Sequence, residues 1–123
     1  MKMAHTCIRV RDLEASLAFY QTAFGFKEKN RRDFPEAEFT LVYLSLPDDN
    51  YELELTYNYN SPAYDLGNGY GHIAISTDDL EEMHQKHLEA GFLVTDLKGL
   101  PNTQPSYYFI SDPDGYKIEM IRA

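Results

Sequence analysis

Four side chains in this chain could hold a cation between them: His5, Glu54, His72 and Glu119. The two histidines stand 67 residues apart and the two glutamates 65 apart, so each His–Glu pair is written twice at nearly one offset. Two imidazole nitrogens and two carboxylates suit a divalent first-row metal. They match neither the all-oxygen set that calcium takes nor a sulfur-rich structural zinc site. Four protein donors leave two positions of an octahedron for water or substrate, which is the design of a catalytic site. The plainer alternative is that all four are polar residues at strand ends in a duplicated fold. Glu54 sits between Leu53 and Leu55, and Glu119 between Ile118 and Met120. A carboxylate among strand hydrophobes needs a partner in either case.

Other polar residues stand near this set. Arg9 lies four residues along from His5, on the same strand face and roughly 13 Å away at strand rise. It could grip a carboxylate through both guanidinium nitrogens or make a surface ion pair. Asn58, just past the strand of Glu54, could bind the same carboxylate or shape a loop. His84 and His87 are read as exposed or half-buried helix residues. Cys7, between Thr6 and Ile8, is read as a small buried hydrophobe. Tyr57, Tyr59, Tyr64 and Tyr70 either line a pocket or pack a surface.

These residues need elements to carry them. Residues 5–26, HTCIRVRDLEASLAFYQTAFGF, echo residues 72–92, HIAISTDDLEEMHQKHLEAGF. Asp12-Leu13-Glu14 answers Asp79-Leu80-Glu81, and each segment closes on Gly-Phe. Both translate into a strand, an acidic cap and a helix. Leu13, Leu17, Tyr20 and Phe24 make one apolar stripe, as do Leu80, Met83 and His87–Leu88. Asp78 with Glu81 resembles a capping box, and Gly25 and Gly91 suit helix ends. Strands are expected at about 26–33, 38–46 and 51–57, and again at about 92–97, 106–111 and 116–121. Asp112-Pro113-Asp114-Gly115 forms the last hairpin. The fold is therefore α+β, a βαβββ module written twice over about 1–60 and 68–123 of a single domain, the modules either forming one curved mixed sheet or meeting across a subunit boundary.

The totals narrow the classes. With 123 residues one compact domain is expected. A formal net charge of −9 argues against nucleic acid as partner. The basic run Lys27–Arg32 (KEKNRR) reads as a charged edge strand rather than a binding patch. One cysteine rules out an internal disulfide, no stretch is apolar enough to span a bilayer, and no signal peptide is evident. A cytoplasmic location is expected.

HTCIRVRDLEASLAFY, ELTYNYN, GYGHIAIS and DPDGYKIEMI together resemble glyoxalase I, of the vicinal oxygen chelate superfamily, over nearly the whole chain. The resemblance implies a homodimer with two active sites at the subunit interface. One subunit would give His5 and Glu54, the other His72 and Glu119, to one divalent metal. Nickel or cobalt is favoured in short bacterial members, with zinc an option. Arg9 and Asn58 match residues that hold the glutathione carboxylate. The implied reaction isomerises the hemithioacetal of methylglyoxal and glutathione to S-D-lactoylglutathione through an enediolate, with Glu119 as base and Glu54 serving the other substrate epimer. One departure concerns the loop 98–106, KGLPNTQPS, where Lys98 is the sole basic residue, so a different thiol is an alternative. Others are a metal-dependent epimerase and a metal-free small-molecule-binding dimer of the resistance type.

Overall fold

The computed structural model describes residues 1–123, which divide into two compact units, Met1–Asp65 and Leu66–Ala123. No helix in either unit is long and apolar enough to cross a membrane.

The first unit runs β1 (His5–Arg9), α1 (Leu13–Phe24), β2 (Lys27–Phe34), β3 (Phe39–Ser45) and β4 (Glu52–Asn58). Its sheet has the order β1-β4-β3-β2, with β1 parallel to β4 and the other pairs antiparallel. Alternation along the strands sends Ile8, Val10, Val42, Leu44, Leu53 and Leu55 into the core. Leu13, Leu17 and Tyr20 of α1 are buried, as the stripe requires. Asp12 caps α1 by accepting a hydrogen bond from the Ala15 N–H at 3.1 Å. Gly25 ends the helix at φ 81°, a left-handed backbone that only glycine adopts without strain. β2 lies on the sheet edge with nearly every side chain in solvent, which accounts for its KEKNRR sequence.

The second unit runs β5 (Ile73–Thr77), α2 (Leu80–Glu89), β6 (Tyr107–Ser111) and β7 (Lys117–Arg122), in a mixed sheet of order β5-β7-β6. The Asp112–Gly115 hairpin forms as expected. Buried Asp112 accepts the N–H groups of Asp114 and Tyr116 at 2.9 and 2.8 Å, and Gly115 turns the chain at φ 91°.

The strand expected over 92–97 does not form; in its place Val94 and, just past the segment, Lys98 make isolated bridges to β6, Val94–Ile110 and Lys98–Tyr107. Four steps on one side oppose three on the other, so one residue bulges out and breaks the ladder. The side chains hold the break open. The Phe109 N–H donates to Thr95 Oγ1 at 2.9 Å instead of to a backbone carbonyl. His84 Nε2 bonds the Thr95 carbonyl at 2.9 Å.

Two helix expectations also need correction. Asp79, not Asp78, is the α2 N-cap, and it makes no side-chain capping bond. Glu81 is turned instead to Arg122, whose Nη1 donates to it at 3.1 Å. His87 is buried, with its Nδ1 hydrogen-bonded to the Tyr108 hydroxyl at 2.9 Å. Leu88 is the exposed one, because the helix turns its 80/87 face inward.

Candidate active site

On β1, alternation that buries Ile8 sends His5, Cys7 and Arg9 to the opposite, open face of the first sheet. The parallel register sets Cys7 opposite Glu54 and Arg9 opposite Thr56, so these side chains share one face. Glu54 is buried all the same, because its neighbours close over it. His5 Nε2 lies 3.2 Å from Glu54 Oε2, and the Tyr43 hydroxyl donates to Glu54 Oε1 at 3.3 Å. The His5 and Tyr43 rings meet edge-on with centroids 5.6 Å apart.

The same pattern appears in the second unit. His72 stands one residue before β5, and Glu119 is paired in register with Ala74 on one side and Phe109 on the other. His72 Nε2 lies 3.6 Å from Glu119 Oε1. The His72 and Phe109 rings meet edge-on at 5.5 Å. Glu119 is the more open carboxylate: its side chain is 21% exposed, against 10% for Glu54.

The four chemically distinctive residues are thus brought together as two His–Glu pairs, one within each unit. No group of three or more His, Cys, Asp or Glu is gathered into a cation site within this chain. Cys7 is exposed, contrary to the burial expected of it; it is Ile8 that points inward. Its Sγ lies 3.2 Å from Thr56 Oγ1. Desolvation against the sheet, with the charge of Glu54, raises the thiol above its ordinary range, the opposite of an activated nucleophile.

Asn58, at the end of β4, donates from Nδ2 to the Tyr64 hydroxyl at 3.2 Å. Tyr57 lines a cavity of about 540 Å³ with Arg11, Asp12, Leu13 and Glu14, beside the start of α1. Tyr59 bonds Thr40, and the Tyr70 hydroxyl donates to the Lys117 carbonyl at 2.9 Å, so these two tyrosines brace their own loops. Burial pushes the Tyr70 hydroxyl up to about 12. Lys98 is held by backbone bonds to Tyr107.

Sequence reasoning did not find Tyr43. Its signal is in the register: it stands against Glu54 as Phe109 stands against Glu119. Strand pairing had to be known before that correspondence could be seen.

The family model described as the glyoxalase/bleomycin resistance protein/dioxygenase superfamily matches residues 2–120. The chain belongs to this superfamily. Among its members, lactoylglutathione lyase of Neisseria meningitidis serogroup A is 42% identical over 125 residues, covering 99% of this chain and 91% of that one. Lactoylglutathione lyase of Salmonella typhimurium is 39% identical over 126 residues, covering 100% and 93%. In structure, the trypanothione-dependent glyoxalase I of Leishmania major superposes with a TM-score of 0.87 at 36% identity, over 99% of this chain and 86% of its own.

Proposed function

We propose that this chain is a glyoxalase I, a lactoylglutathione lyase that isomerises the hemithioacetal of methylglyoxal and glutathione. The observation that carries this reading is the repeated His–Glu pair, set at matching stations of two sheets in a chain about as long as the lyases it resembles.

The donor set fits a divalent ion. Two donors to one such ion, each bonded at about 2.1 Å, would lie about 3–3.5 Å apart. The Nε2–Oε separations of 3.2 and 3.6 Å are close to that spacing, and both imidazoles open to solvent. Each pair fills half of a four-donor set. A homodimer in which His5 and Glu54 of one protomer meet the equivalents of His72 and Glu119 from the other completes it. Two nitrogens and two carboxylates suit a divalent first-row ion; the resemblance to short bacterial glyoxalases points to Ni2+ or Co2+, with Zn2+ an option. When bound, such an ion polarises the substrate carbonyl and offsets the negative charge that develops on its oxygens.

The chain's own residues do the rest. Glu119 takes the proton from the carbon bearing the hydroxyl and sulfur and returns it to the adjacent carbon, while the hydroxyl proton passes to the neighbouring oxygen, so the hemithioacetal becomes a thioester and the ketone an alcohol without net redox change. Glu54 is the mirror-placed carboxylate and the more enclosed of the two, which suits it to holding the ion rather than to moving a proton. Arg9, on the face of His5, and Asn58 at the end of β4 hold the thiol's carboxylate. The free Cys7 suits a reduced, cytoplasmic setting.

The test is to strip the protein of metal, add back nickel, cobalt or zinc in turn, and follow thioester formation from methylglyoxal. Glutathione is compared with trypanothione, because the Leishmania relative uses the latter. Restored turnover with glutathione supports the reading. A fully loaded but inactive protein with every thiol sinks it.

A further inference from the structure

The two His–Glu pairs differ by one hydroxyl group. Tyr43 and Phe109 occupy the same station, each paired in register with the glutamate. Each also sets its ring edge-on against the histidine, at 5.6 and 5.5 Å. Ring packing is therefore the same on both sides. The hydroxyl is what Phe109 lacks, and it reaches Glu54 Oε1 at 3.3 Å. Glu54 consequently has both carboxylate oxygens engaged, one by Tyr43 and one by His5. Glu119 has one such contact, longer and more exposed, with His72.

We propose that Tyr43 is a positioning residue that ties Glu54 down as a fixed donor, so that Glu119 is the carboxylate free to swing toward the substrate carbon. This rests on the glyoxalase reading and divides the work of its two carboxylates. A group that must approach the carbon, accept a proton and hand it to the next carbon has to move by a fraction of a bond length or more. A carboxylate held at both oxygens is poorly suited to that motion, whereas one held at a single oxygen can pivot about its remaining contact. At 3.3 Å the hydroxyl makes a long hydrogen bond to Glu54, one that Phe109 has no atom to make to Glu119. Tyr43 does not touch the reacting atoms in this scheme; it acts through Glu54.

The reciprocal variants Tyr43→Phe and Phe109→Tyr test this, since each moves one oxygen atom and preserves the ring. Nickel-loaded protein is challenged with excess chelator, and the rate of metal release is read by absorbance alongside kcat and KM. Tyr43→Phe should release metal about five-fold faster, the worth of one ordinary hydrogen bond. Phe109→Tyr should lower kcat about ten-fold with KM little changed, because the new hydroxyl pins the mobile carboxylate. Unchanged metal release in Tyr43→Phe, or unchanged kcat in Phe109→Tyr, overturns the proposal. Chelator release reports on Tyr43 whether or not thioester is made, so a failure of the glyoxalase reading and a failure of this division of labour are separate results.

Discussion

The first unit encloses its carboxylate, and the second leaves its own half-buried. Glu54 is 10% exposed, with a histidine at 3.2 Å and a tyrosine hydroxyl at 3.3 Å; Glu119 is 21% exposed, with a histidine at 3.6 Å. The helices differ in the same sense. Asp12 caps α1 through its own side chain, while Asp79 makes no such bond to α2. In place of a cap, α2 is tied to β7 by the Glu81–Arg122 pair, and Arg122 also donates to the Pro105 carbonyl at 2.6 Å. A duplicated module thus keeps its backbone plan and its His–Glu stations while the supporting contacts drift apart. On the proposed division of labour, that drift separates a fixed donor, Glu54, from a mobile one, Glu119.

The largest expected effect breaks the comparison at its centre. Glu119→Gln should lower kcat by about 10²- to 10⁴-fold, the usual worth of a general base, with the protein still folded. Steady-state kinetics on metal-loaded protein checks it, and a full rate removes Glu119 as base.

Core truncations ask whether the two units are equally built. Leu55→Ala in the first sheet and Ile118→Ala in the second both empty fully buried positions, and each should cost about 2–5 kcal/mol by denaturant melts.

Smaller effects sharpen the contrast between the helices. Asp12→Ala should cost about 1 kcal/mol, and Asp79→Ala clearly less, because only Asp12 caps its helix.

Glu81→Gln reads the substitute tether through pH. The Arg122 guanidinium hydrogen-bonded to Glu81 holds its carboxyl below the ordinary carboxylate range. A depressed folded-state value means the stabilisation is present above the ordinary value and is lost as pH falls through the lowered one. The gap between wild type and Glu81→Gln should therefore be small near neutral pH, shrink with salt, and close on acidification.

Much of the fold was legible because the echo fixed it twice. His5 and His72, Asp12 and Asp79, and the two Gly-Phe endings located the first strand and helix of each half, and alternation located the other strands to within about a residue. Misses came where a side chain competed with the backbone. Thr95 and His84 take ladder partners and bulge the segment 92–97, which no periodicity reveals. Cys7 was misread because strand neighbours of like hydrophobicity do not say which faces inward; the buried Ile8 and Val10 decide it. His87 was read as exposed or half-buried because a histidine's burial depends on finding a partner, here Tyr108, whose position only the tertiary fold supplies. In the candidate site, the four stations were visible in sequence. Tyr43 was not, since its meaning lies in strand register.

The central claim is that two chains share each site, one giving His5 and Glu54 and the other His72 and Glu119. Unfolded His5→Ala and His72→Ala chains, mixed in equal amounts and refolded together with nickel, test it directly. Each variant alone should be nearly inactive. Half of the refolded dimers are mixed, and each holds one intact site of two, so the mixture should regain about a quarter of wild-type activity. No recovery, with mixed dimers demonstrated by native mass spectrometry, would contradict the shared site.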